Sequence, residues 1–236
     1  EIADRDWSSD VCSSDLWKVQ YSNGNTDIIT IGAYKRRINM SRYITLTVKN
    51  GAAIKLDFKA AAGGTPVRIV SGTNTQDITV GTSWKGIASY TAGSTTMTVY
   101  GDLIWFYCGN NGTNITAIDV SNNTQLELLN CSYNNLSSLN VSKNTQLMGV
   151  YCYGNNFTTA ALDDIYCALP DRTGKDNGVI QPVYDSSSSD NATVKVTNAG
   201  NATAKNWKVQ YSNGNTDIIT DRKSTRLNSS HGRRSR

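Results

Sequence analysis

The chain has 236 residues, a formal net charge of +4 and 38% hydrophobic residues, enough for one or two small domains. Its single histidine, His231, leaves Ser-His or Cys-His nucleophile pairs and His-based metal sites almost nothing to draw on. No apolar run reaches the length of a bilayer-spanning helix.

The two ends read unlike the middle. DWSSDVCSSDL occupies positions 6–16 and DRKSTRLNSSH positions 221–231. One coding sequence for the second has a reverse complement that encodes the first through Asp15, plus the opening base of a Leu codon. Both ends therefore resemble sequencing-adapter DNA translated in frame. Residues 1–16 and 221–236 are read as adapter-derived, disordered and outside any fold. Seven of the 23 basic and six of the 19 acidic residues lie in them, which leaves 16 basic and 13 acidic residues and a net charge of +3. The acidic head and basic tail that would suggest nucleic-acid binding thus drop out, and His231 goes with them. Residues 17–220 remain, read as a fragment whose true N-terminus lies outside it.

WKVQYSNGNTDIIT occurs twice, at 17–30 and at 207–220. Either the core is one period of a tandem array, or one short sequence was assembled onto both edges. Residues 17–42 are read as the tail of a preceding module and a linker, whose KRR run is a solvated charge cluster. Residues 43–100 carry short alternating strands, YITLTVKNG, AIKLDFK, PVRIVSG, DITVG and TMTVYG, split by Gly, Asn and Ser turns. They predict a compact β sandwich or barrel.

Residues 101–158 repeat internally. LELLNCSYNNL (Leu126–Leu136) and LMGVYCYGNNF (Leu147–Phe157) align 21 residues apart. Both fit the pattern L-x-x-L-x-L-x-x-N/C-x-L. An earlier block, LIWFYCGNN, runs from Leu103 to Asn111. Leu126, Leu129, Cys131, Leu136, Leu139 and Val141 are expected to point inward. Cys108, Cys131 and Cys152 share one inward slot and read as buried free thiols that act as small hydrophobes. Asn134 and Asn155 fall at the turns, where their amides can satisfy backbone groups left unpaired by stacking. Asn123 and Asn144 are read the same way on the other side.

These blocks resemble the bacterial leucine-rich repeats of internalin-like type, with two nested half-motifs per repeat. The resemblance implies a solenoid with parallel strands on the Cys-bearing side. The whole chain is then expected to be mainly β with a small α/β cap: a short leucine-rich-repeat solenoid preceded by a compact β unit. Residues 159–220 are similar to the C-terminal caps of that family, as a helix, strand, helix and strand. Thr158 or Thr159 caps the first helix, with Cys167 on its apolar side, and Pro170 stops it. GVIQPVYD (178–185) reads as an edge strand, because Pro182 cannot donate to a ladder.

The outward strand positions include Trp105, Tyr107, Glu127, Asn130, Ser132, Tyr151 and Tyr153. Trp and Tyr make large contacts at low entropic cost, and this is the face the family uses for ligands. The function expected is a non-catalytic binding or adhesion module of a bacterial surface or secreted protein. Its partner would be a protein or a glycan rather than a nucleic acid, with no metal or cofactor and no membrane span in this fragment. Two rivals stand beside it. One is an accessory fragment of a polysaccharide-acting enzyme, with Asp163 and Asp164 or Asp185 and Asp190 as its carboxylates. Adjacent helix residues such as Asp163 and Asp164 diverge and do not flank one bond. The other rival is a purely structural stalk module.

Overall fold

The computed structural model describes residues 37–220 and the backbone of Trp17–Gln20 and Thr26–Ile29. The adapter-like segments lie outside the described residues. Two compact units divide the chain, Glu1–Arg37 and Ile38–Arg236. In the first, β1 (Trp17–Gln20) and β2 (Thr26–Ile29) pair antiparallel, with Trp17 opposite Ile29.

The second unit contains two sheets. The five-stranded sheet is antiparallel throughout, built from β3 (Tyr43–Val48), β5 (Thr65–Ser71), β6 (Asn74–Val80), β8 (Thr96–Tyr100) and β10 (Ile115–Asp119) in the order β10-β3-β8-β5-β6. The seven-stranded sheet is mixed. Its order is β14-β13-β12-β11-β9-β4-β7, from β4 (Ala53–Ala60), β7 (Ala88–Thr91), β9 (Leu103–Tyr107), β11 (Leu128–Asn130), β12 (Gly149–Tyr151), β13 (Gly178–Val183) and β14 (Trp207–Tyr211). In that sheet β9, β11, β12, β13 and β14 run parallel, whereas β4 pairs antiparallel with both β9 and β7.

This architecture overturns the expected solenoid. The repeat strands are not a free-standing stack with a separate β unit set before it. They form the middle of a mixed sheet whose outer strands, β4 and β7, come from residues 43–100. In return, β10 leaves the repeat segment to pair with β3. One continuous hydrophobic cluster takes Ile44, Leu46 and Val99 from one sheet and Phe58, Phe106, Leu129 and Ile180 from the other. The physical reason is edge pairing. The first parallel strand, β9, would expose a row of backbone donors and acceptors, and β4 covers it.

Local patterning explains most of the elements. β5 alternates buried and half-buried residues along its whole length, as a sheet with one dry face requires. The inward positions of the repeats are all buried, including Leu126, Leu129, Cys131, Leu136, Leu139 and Val141. β13 is not the predicted edge strand, because it lies between β12 and β14. Its ladder to β14 shifts register between Ile180 and Val183, and that irregularity seats Pro182 where no donor is needed.

Helix α1 (Thr159–Ala168) starts at Thr158, whose hydroxyl accepts from the Ala161 amide at 3.2 Å. It buries Leu162, Ile165 and Tyr166, a spacing of three and four residues that keeps one face inward. Cys167 therefore sits off that face and is exposed, against the expectation of a core thiol. Two short helices, α2 (Asn191–Lys195) and α3 (Gly200–Thr203), lead into β14. None of the helices among the described residues is long and apolar enough to cross a membrane.

Candidate functional site

The parallel strands align the outward residues into rows. One row crosses Lys59, Trp105, Leu128, Gly149 and Val179. The next crosses Asp57, Tyr107, Asn130, Tyr151 and Gln181. Each row is a straight consequence of parallel register, since one residue per strand faces the same way at each level.

The two ends of this face differ. At the β4 end, Trp105 is covered. Its ring packs against Trp84 at a centroid distance of 5.4 Å, and the Lys59 ammonium lies 3.4 Å from its ring centroid. Such a cation over an indole satisfies the π face from within the protein. Tyr107 is half-buried, and its hydroxyl accepts from Asn110 Nδ2 at 2.6 Å. Leu128, Glu127 and Asn130 are also half-buried. Asn130 turns its side-chain oxygen back on the chain, accepting from the Ser132 amide at 3.1 Å and the Ser132 hydroxyl at 2.7 Å. Ser132 is itself buried, so the local turn removes it from the ligand face to which the strand alternation assigned it.

At the β13 end the aromatic surface is open. Tyr133, Tyr153 and Tyr184 form a triangle with ring centroids 5.1, 5.7 and 6.3 Å apart, and the closest pair meets edge-on at 90°. Tyr133 and Tyr184 are exposed. Tyr151 is half-buried nearby, and burial followed by Tyr153 raises its hydroxyl pKa. The Tyr133 hydroxyl is raised too, first by desolvation, then by Tyr153 and Tyr184, and next by Asp185 and Asp190. The cluster thus carries carboxylates beside its rings. Asp185 is held below the usual carboxylate range, first by the Ser187 hydroxyl at 2.7 Å.

Tyr133 and Tyr184 are absent from the sequence-derived set. Tyr133 occupies the same turn position as Asn110 and Gly154, two residues after each ladder cysteine. All three have left-handed backbone, with φ of 50°, 58° and 66°. Asn and Gly tolerate that region, but an aromatic side chain seldom adopts it. Gly154 is needed here for a second reason: a Cβ would lie 2.5 Å from the Tyr133 ring. The signal was available as a bulky residue at a position whose register partners are Asn and Gly.

Beneath the face, the asparagine ladder is present and longer than expected. Asn134 Nδ2 donates to the carbonyls of Cys108 at 2.9 Å and Cys131 at 3.0 Å. Asn155 Nδ2 donates to those of Cys131 and Cys152, each at 2.9 Å. Asn111 is the first member and reaches the Cys108 and Lys55 carbonyls. It ties the antiparallel strand β4 into the parallel turns. On the other side, Asn144 Nδ2 donates to the Val120 and Asn123 carbonyls at 2.8 Å each, whereas the buried Asn123 amide makes no side-chain hydrogen bond, against the expectation that it would serve the turn as Asn144 does.

Cys108, Cys131 and Cys152 are buried and free. Burial pushes the Cys131 thiol up to about 12 and raises the other two well above their ordinary value. In a Cys12→Ser background, a thiol reagent is expected to label Cys167 rapidly and the three ladder cysteines only on unfolding, because the thiolate is the reactive form. Rapid native labelling of more than one thiol would contradict the buried slots. Because the folded pKa is raised, the buried thiols' contribution to stability is complete below the unfolded value near 9.0 and is lost as pH climbs toward 12.

Two of the carboxylates weighed for catalysis, Asp163 and Asp185, have local work. Asp163 accepts from the Asn198 amide at 2.6 Å. Asp185 organises the Ser187–Ser188 turn. Asp164 is exposed on α1. Among the described residues, no group of three or more His, Cys, Asp or Glu side chains is arranged to hold a metal ion.

The chain matches no model of a known family, no characterised protein and no solved structure.

Proposed function

We propose that this chain is a non-catalytic binding module, and that a protein or glycan ligand seats on the tyrosine cluster of Tyr133, Tyr153 and Tyr184, with Tyr151 at its margin. The observation that carries the reading is Tyr133. An exposed aromatic ring is held out on left-handed backbone at φ 50°, which costs an L-residue roughly 1–2 kcal/mol. Strain retained at an exposed position favours a functional account over a packing one. The rings offer flat apolar area with few rotatable bonds, and Asp185, Asp190 and the serines around them supply polar contacts at the rim. Trp105, Tyr107 and Ser132 lie outside the proposed contact, the first covered by Trp84 and Lys59 and the last buried.

The test separates binding from stability. Tyr133→Asn puts at this turn the residue that its register partner Asn110 already carries. The thermal midpoint is expected to hold or rise, because Asn accepts left-handed backbone more readily. Binding is expected to fall at least about tenfold, as for a hot-spot truncation. Affinity electrophoresis against soluble polysaccharides and display against a peptide library would identify which ligand class is held. A folded Tyr133→Asn, Tyr184→Ala double variant that binds as the parent does would refute the assignment.

A further inference from the structure

The fourteen residues WKVQYSNGNTDIIT stand twice in the sequence, yet the second unit has one built seat for them. The copy at 207–220 fills that seat. Trp207 is 2% exposed, and its indole Nε1 donates to the Pro170 carbonyl at 2.8 Å. Gly178 is opposite it in the ladder. Any Cβ there would lie 2.5 Å from the Trp207 ring, so glycine makes the slot for the indole. Val209 and Ile218 are buried. Gln181 Nε2 donates to Asn215 Oδ1 at 2.8 Å, and the Tyr211 hydroxyl donates to Asn191 Oδ1 at 3.0 Å. The seat therefore recognises this sequence by shape, by backbone ladder and by named side-chain bonds.

The first copy carries the same Trp, Val, Gln and Tyr in the same order, at Trp17, Val19, Gln20 and Tyr21. Its strands Trp17–Gln20 and Thr26–Ile29 form a sheet of two strands among the described residues, and a two-stranded hairpin is marginal by itself in water. One chain thus holds two keys for one lock.

We propose that the lock is shared between chains: strand Trp17–Gln20 of one copy replaces Trp207–Tyr211 on β13 of another, linking copies head to tail. Key and lock belong to different units of the chain, so the contact is heterologous, and it builds rings where the rotation closes and linear arrays where it does not. Exchange forms the same bonds that it breaks, so it is governed by tethering. The chain's own tail competes at an effective concentration on the order of millimolar, as for short linkers, and it wins in dilute solution. Weakening that tail hands the seat to the other copy. The inference is independent of the tyrosine face.

Sedimentation of the full chain from micromolar to millimolar concentration tests it. The parent is expected to be monomeric in the micromolar range and to assemble near millimolar. Trp207→Ala is expected to form dimers and longer species already at micromolar concentration. The Trp17→Ala, Trp207→Ala double variant is expected to remain monomeric and to melt earlier. The synthetic peptide WKVQYSNGNTDIIT should then raise the melting midpoint of the double variant, while the peptide with Ala for its Trp should not. A monomeric Trp207→Ala variant that melts like the parent would place the first copy in its own chain's seat and overturn exchange between chains. A double variant that the peptide does not stabilise would overturn the seat itself, and this arm reads out even if Trp207→Ala folds poorly.

Discussion

Phe106→Ala is expected to cost about 3–5 kcal/mol and to shift one cooperative unfolding transition rather than part of a divided one. Phe106 is fully buried on β9, where the antiparallel and parallel portions of the large sheet meet. Across one ladder it faces Phe58 on β4, and their rings lie 5.8 Å apart. Across the other ladder it is level with Leu129 on β11. Removing the ring opens a cavity bounded by side chains of both portions, and neither portion can close it alone. Calorimetry with far-ultraviolet dichroism on the same samples would measure the shift. Two transitions, with only one displaced by the substitution, would mean that residues 43–100 and the repeat strands are separate bodies, and the single-core account would fail.

The repeat register was readable from sequence because burial there is periodic. Leu126, Leu129, Cys131 and Leu136 are all buried, and each is fixed by one residue's place in a 21-residue pattern. The Asn ladder was readable for the same reason, since an amide at a repeated turn has both a donor and an acceptor to offer. What the pattern did not carry is which strands adjoin. Nothing in AIKLDFK distinguishes a strand that pairs within its own segment from one that covers β9. Pairing of that kind is decided by edges and core volume across long sequence separations, and local alternation is blind to it. Pro182 illustrates the same limit. Proline excludes a regular interior ladder position, but a register shift seats it in an interior strand.

The outward aromatic face was legible in part. Tyr151 and Tyr153 follow from strand alternation, whereas Ser132 fails because a side-chain turn with Asn130 draws it inward. Trp105 fails for a tertiary reason, since Trp84 and Lys59 come from the segment before it. Tyr184 joins the cluster only through the placement of β13, which sequence reading had put at an edge.

Asn134→Asp is expected to destabilise the fold by about 3–5 kcal/mol near neutral pH, as an uncompensated buried charge does, and to recover in acid. Asn134 is 7% exposed, and its amide nitrogen faces two carbonyl oxygens, those of Cys108 and Cys131. A carboxylate has no donor to offer them, so burial and two opposed acceptors raise its folded pKa above the unfolded value of about 3.9. The sign follows from that direction. Below the unfolded pKa the acid is protonated in both states, and its single O–H can serve one carbonyl. As pH rises from there toward the folded pKa, the unfolded state ionises first and the variant loses stability. Asn134→Ala provides the control. Each carbonyl keeps a second amide, from Asn111 or from Asn155, so only hydrogen bonds of about 0.5–1.5 kcal/mol each are lost, with no pH dependence. Denaturant titration of both variants and the parent from acid to neutral pH would compare them. If the gap between Asn134→Asp and Asn134→Ala stays constant across that range, the amide does not face the two carbonyls as described, and the ladder that supports the tyrosine turns must be reassigned.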